Sequence, residues 1–173
     1  MLKKIIAFLS VVFISSCSYW QSGDYNICPR VQIKRDNAYL TQVVNYKEQF
    51  QISLIGHEGF CYFDAKTNQH KARISALFEI KRLRPSDETA VDFAYYTSAV
   101  KGPKEFLGKK TYYEHVQIPA DEKLVEYKSR PVDVRIPESM KYSFEITLGM
   151  VISPEEFKYN KRNFDINYKY YNN

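Results

Sequence analysis

From Val31 onward, apolar and polar residues alternate along most of this chain, the period of an extended strand with one buried face. Val31-Gln32-Ile33-Lys34 opens the pattern, and Pro29 just ahead of it suits a strand start or a sheet edge. Arg35-Asp36-Asn37 breaks it, and residues 38–46 read as an ambiguous connection with room for one helical turn. Phe50 to Gly56 alternates again. His57-Glu58-Gly59 follows as a turn or bulge between two glycines, and Phe60 to Phe63 resumes the extended run.

The longest alternation is Lys71 to Leu83, with Ala72, Ile74, Ala76, Phe78 and Ile80 on one face. Val91, Phe93, Tyr95 and Thr97 mark the next strand, to about Val100, and residues 101–110 form a basic loop. Three further strands are predicted over 111–119, 124–137 and 142–152, with Pro131 marking a bend or an edge position in the second. At Ser153-Pro154-Glu155-Glu156 the signal changes to a helix start. Ser153 can cap, Pro154 suits the first helical position and Glu156 completes a capping box. This helix is expected to end near Arg162, leaving residues 164–173 as a frayed tail or a late edge strand.

About seven short strands, spaced by turn signals and almost free of helix, predict an all-β fold. The expected form is an antiparallel two-sheet sandwich of immunoglobulin-like architecture over 28–152, with a short C-terminal helix and tail over 153–173. The only Trp, Trp20, precedes both Cys28 and Cys61, so the Cys–Trp–Cys spacing of antibody domains is absent.

The first residues obey different rules. Met1-Leu2-Lys3-Lys4 is a short positive start, Ile5 to Ile14 an apolar run interrupted by Ser10, and Ser15-Ser16 a small-residue exit before Cys17. That order makes a secretory signal. The apolar run is about ten residues, against the roughly 20 a helix needs to cross a bilayer. Ile14-Ser15-Ser16-Cys17 resembles the lipobox of bacterial lipoproteins. The resemblance implies a signal peptide over 1–16, cleavage before Cys17, diacylation of its thiol and acylation of the new amino terminus. Residues 17–27 become a lipidated tether, and Tyr19 and Trp20 in it suit either the headgroup level or packing on the domain. Ser18 is not Asp, which by analogy with enteric bacteria favours the outer membrane, facing the periplasm.

Composition agrees with β structure: Tyr and Phe are abundant and Gly is scarce. Lys3 and Lys4 leave with the signal, so the mature chain has 23 basic and 20 acidic residues, a balance of +3. The charges are interspersed, so no footprint for nucleic acid stands out. Three cysteines are an odd count for an exported chain. Lipid consumes Cys17, which leaves Cys28 and Cys61 to pair in an oxidising compartment. Closing that loop stabilises the fold by roughly 3–4 kcal/mol on the chain-entropy account. Its position predicts a staple at the N-terminus of the sandwich and not a central pin between distant strands.

The chain also resembles a group of uncharacterised alphaproteobacterial lipoproteins. The resemblance is carried by Cys28-Pro29-Arg30-Val31, the run Gly56 to Cys61, Arg135-Ile136-Pro137, Ser153-Pro154-Glu155-Glu156-Phe157 and Tyr159-Asn160-Lys161-Arg162. It implies a lipid-anchored envelope protein with paired cysteines, and no activity.

Four side chains, Cys28, Cys61, His57 and His70, carry donors suited to zinc. Only His57 and Cys61 form a close pair, and exported thiols oxidise, so no metal is expected. There is no G-x-S-x-G elbow, zinc-protease motif, phosphate loop or dinucleotide fingerprint. His115 lies in a strand pattern, Asp87-Glu88 in a loop and Glu155-Glu156 at a helix start, where solvation and capping account for them. The basic loop (Lys101, Lys104, Lys109, Lys110, with Phe106 and Leu107) has the chemistry to touch anionic lipid or a partner, and a solvated loop is the simpler reading. The tyrosines suit either a sugar-stacking face or cross-strand pairs in a sheet.

The expected function is that of a non-enzymatic, lipid-anchored cell-envelope protein. No catalytic residue and no cofactor are expected, and the partners are the membrane and an envelope protein. The alternative is a module that binds a glycan or small molecule on an aromatic face.

Overall fold

A computed structural model of the chain describes residues 28–44, 46–85, 87–101, 105–137 and 144–171. The signal over 1–16, Cys17 and the tether lie outside the described residues. Nine strands are described, in two sheets, followed by one C-terminal helix.

The first sheet has the order β1 (Arg30–Ile33), β9 (Phe144–Met150), β5 (Ala90–Lys101) and β6 (Glu105–Gln117). The second runs β2 (Tyr39–Val44), β3 (Lys47–Asp64), β4 (Gln69–Arg82), and then β7 (Leu124–Lys128) and β8 (Val132–Ile136), which both pair with β4. The pairings are antiparallel except for β1, which runs parallel to β9.

One core joins the two sheets. Alternation dictates who enters it: Ile74, Ala76, Phe78 and Ile80 of β4 are buried, as are Val91, Phe93 and Tyr95 of β5. Phe78 meets Phe93 edge-on at 4.9 Å between centroids and Tyr95 at 5.3 Å, so aromatic contacts bridge the layers. Each large apolar side chain buried this way stabilises the fold by about 1.5–3 kcal/mol.

Several sequence expectations change. Residues 38–46 are not a loose connection: a short 3-10 turn at Arg35–Asn37 leads into strand β2. The bulge near the Gly56–Gly59 run lies at Ile55, which is 52% exposed, and β3 continues through His57-Glu58-Gly59 without turning. Residues 124–137 form two strands, so Pro131 does interrupt the run. The basic loop shrinks because β6 already starts at Glu105. The C-terminal helix, α1 (Pro154–Tyr171), continues past Arg162 through residues expected to be a tail.

The break between β7 and β8 is closed by one side chain. Ser129 is buried, its amide donates to the Ala76 carbonyl at 2.9 Å, and its hydroxyl accepts the Ala76 amide at 2.9 Å. Tyr95, from the opposite sheet, donates its hydroxyl to Ser129 Oγ at 3.2 Å. Burial pushes the Tyr95 phenol up to about 12.

Helix α1 starts with the capping box: Glu156 N–H donates to Ser153 Oγ at 3.1 Å and Ser153 N–H to Glu156 Oε2 at 2.7 Å. Buried Asn160 donates its side-chain amide to the carbonyls of Tyr39, at 2.8 Å, and Asp36, at 3.4 Å. The helix thereby docks on the start of β2, an edge strand whose free backbone groups would otherwise invite pairing.

Candidate functional site

Cys28 and Cys61 are bonded, with their Cα atoms 5.5 Å apart. Cys28 lies two residues before β1 of the first sheet and Cys61 belongs to β3 of the second. The bond is therefore an N-terminal staple that also ties one sheet to the other. It removes both sulfurs from zinc chemistry. His70 packs on Phe63 at 5.1 Å, and among the described residues no group of three His, Cys, Asp or Glu side chains is placed to hold a metal.

On β3, residues 60 and 62 point opposite to Cys61. They lie on the outer face of the second sheet, and a polar cluster is built there. Phe60 pairs across the ladder with Arg73 and Arg73 with Asp133, so three strands converge on one guanidinium. Arg73 grips Asp133 with two donors, Nε to Oδ1 at 2.8 Å and Nη2 to Oδ2 at 2.8 Å. Tyr62 donates its hydroxyl to Asp133 Oδ2 at 3.0 Å and accepts from Arg73 Nη2 at 3.2 Å. The guanidinium carbon lies 5.1 Å from the Tyr62 ring centre. A bidentate, aromatic-backed pair of this kind fixes an arginine in one orientation.

The electrostatics follow from these contacts. The hydrogen bond from Arg73 holds the Asp133 carboxyl below its ordinary range, and the same bond pushes the guanidinium higher still. Lys71 donates to Asp64 Oδ2 at 2.6 Å and holds that carboxyl down to about 2. Desolvation, then the bond to Asp133, raises the Tyr62 phenol. Glu58 and Lys128 form a further ion pair alongside.

Between these groups lies a shallow depression of about 580 Å³, bounded by Phe60, Arg73 and Ser75 on one side and by Arg130 and Pro131 on the other. It exists because β7 stops at Lys128 and β8 starts at Val132. Phe60 is 59% exposed on its rim, with its ring centre 5.9 Å from that of Tyr62. Gly59 permits the geometry: a Cβ there would lie 2.5 Å from the Arg73 carbonyl oxygen.

The chain matches no protein-family model, no curated protein and no solved structure.

The other residues singled out by sequence fall elsewhere. His115 is on the outer face of the first sheet, its Nδ1 2.7 Å from Asp92 Oδ1 and its Nε2 2.9 Å from Gln117 Nε2. Both ring nitrogens are thus occupied on an open surface. Lys109 and Lys110 lie over the rings of Tyr96 and Tyr112. The tyrosines are dispersed: Tyr95 and Tyr112 stack at 5.1 Å, Tyr96 is buried against Gly149, and Tyr113 is 84% exposed. The Arg73–Asp133 cluster was invisible to sequence reasoning. Its only signal was a pair of charges on the polar face of two alternating runs, and linking them requires the register of β8 on β4.

Proposed function

We propose that this protein is a lipid-anchored component of the bacterial cell envelope and that its sandwich is a non-enzymatic interaction module. The lipobox resemblance at Cys17 supports the anchor, and Ser18 in place of Asp favours the outer membrane, facing the periplasm. The contact surface is the outer face of β3, β4 and β8. The observation that carries this assignment is Phe60, a large exposed ring beside a guanidinium already fixed by Asp133 and Tyr62. An exposed aromatic next to a pre-ordered arginine is the composition of interface anchors, and pre-ordering lowers the entropy lost on binding. The favoured partner is another envelope protein. A glycan or small molecule is the second reading, favoured by the paired Phe60 and Tyr62 rings at the depression.

The test is photo-crosslinking in intact cells, with a benzophenone amino acid at Phe60 and, as control, at Tyr113 on the other sheet. A discrete adduct from position 60 and none from 113 is expected. A protease-sensitive adduct assigns a protein partner, and one that only glycan hydrolases remove assigns the second reading. No adduct at 60, or the same one at both positions, overturns the surface assignment. Cys17→Ala tests the anchor separately: the variant should lose acyl labelling and leave the membrane fraction.

A further inference from the structure

A second concavity has a different chemistry. Where β1 gives way to the 3-10 turn, a groove of about 490 Å³ runs between that turn and the first two turns of α1. Its apolar lining comes from Ile152, Pro154 and Phe157, and Lys34, Lys158 and Lys161 stand around it. Among the described residues no acidic one lines it. Among the described residues none of these three lysines has a carboxylate partner. Lys34 Nζ lies 6.0 Å from the Phe157 ring centre, the outer limit of a cation–π contact. The carboxylate of Glu156 is engaged by the Ser153 amide, and Glu155, three residues before Lys158, is not among the residues lining the groove.

We propose that this groove is a docking site for the headgroup of an anionic phospholipid. Charge complementarity argues for the anion: three ammonium groups, with no carboxylate partner among the described residues, lie around one concavity, and lysine binds phosphate as a point charge. The lining argues for a lipid over a free ion. An inorganic phosphate fills only the cationic rim, and the Phe157–Ile152 wall then stays wet. A glycerophospholipid covers both, with its phosphate at the lysines and its glycerol and first methylenes on the apolar wall. Basic pockets between membrane-spanning helices take anionic headgroups by the same pairing of charge and apolar wall. The helix N-terminus adds little, because the capping box already uses its first donors. The site is separate from the Phe60 surface and does not depend on the proposed anchor.

Titration of the full chain with dihexanoyl-phosphatidylglycerol below its micelle concentration tests this. Dihexanoyl-phosphatidylcholine and inorganic phosphate are the comparison ligands, and chemical shifts of the 152–161 backbone are the readout. The anionic lipid should bind, the zwitterionic lipid much more weakly, and raised salt should weaken binding. Lys34→Gln with Lys158→Gln should weaken it about thirty-fold. Both side chains are exposed, so an unchanged thermal midpoint shows that the variant is folded. Equal binding of the two lipids, indifference to the double substitution, or inorganic phosphate binding as tightly as the lipid each overturns the proposal.

Discussion

The hydroxyl of Ser129 accepts the amide hydrogen of Ala76 at 2.9 Å, at the point where β7 has ended and β8 has not begun. A side chain thus supplies a ladder bond that the backbone of a broken strand cannot. Ser129→Ala leaves a buried amide unpaired and strips Tyr95 of its acceptor. A loss of about 1–3 kcal/mol is expected in urea unfolding, with an unchanged m-value. A neutral result would mean that water replaces the hydroxyl.

Two glycines on β3 should respond differently to the same methyl group. At Gly59 a Cβ meets the Arg73 carbonyl at 2.5 Å, a backbone atom that moves only if the ladder opens. At Gly56 the nearest atom is Leu77 Cδ1 at 3.4 Å, the end of a side chain. Gly59→Ala should cost several kcal/mol, roughly 2–4, and Gly56→Ala less than about 1. Thermal melts of the two variants side by side decide this. The crosslink from position 60 should fall with the first only.

The acid limb of stability should report Asp64. Lys71 holds its folded pKa down to about 2, below its unfolded value near 3.9. The contribution is therefore complete above the unfolded value and is lost as pH falls through the folded one. Asp133, also depressed, adds in the same direction. Between pH 4 and pH 2 the urea midpoint should decline, and Asp64→Asn should flatten that decline. Parallel profiles would show that the Lys71 contact does not survive in solution.

Tyr46 has φ 61° and is fully exposed, at 102%. A non-glycine residue pays about 1–2 kcal/mol in the left-handed region, and Asn tolerates it better. Tyr46→Asn should raise stability by about 0.5–1 kcal/mol, read as a higher midpoint of unfolding.

How much of this was legible beforehand depended on phase. The face Ala72, Ile74, Ala76, Phe78 and Ile80 is buried throughout, because β4 runs 14 residues without a bulge and its period never slips. β2 is hidden because its 6 residues, Tyr-Leu-Thr-Gln-Val-Val, do not alternate, and Tyr39 to Gln42 are all half-buried, so neither face stands out. The far half of α1 was lost because its Tyr- and Asn-rich sequence has no clean helical apolar period. The disulfide was legible from counting cysteines, since chemistry rather than geometry selected the pair. The Arg73–Asp133 cluster was not, because the partners are 60 residues apart and meet only after Pro131 breaks the edge strand.

The Cys28–Cys61 bond also sets a mechanical path. β1 is 4 residues long and hydrogen-bonds only to β9 among the described strands, so by itself it would unzip under a modest pull from the preceding chain. The bond passes part of that tension to β3, an 18-residue strand that pairs with β4 through Cys61 to Asp64. Traction on the N-terminus is therefore shared with the longest ladder of the sandwich, at Cys61 opposite Ala72, and its frailest strand does not carry the load alone.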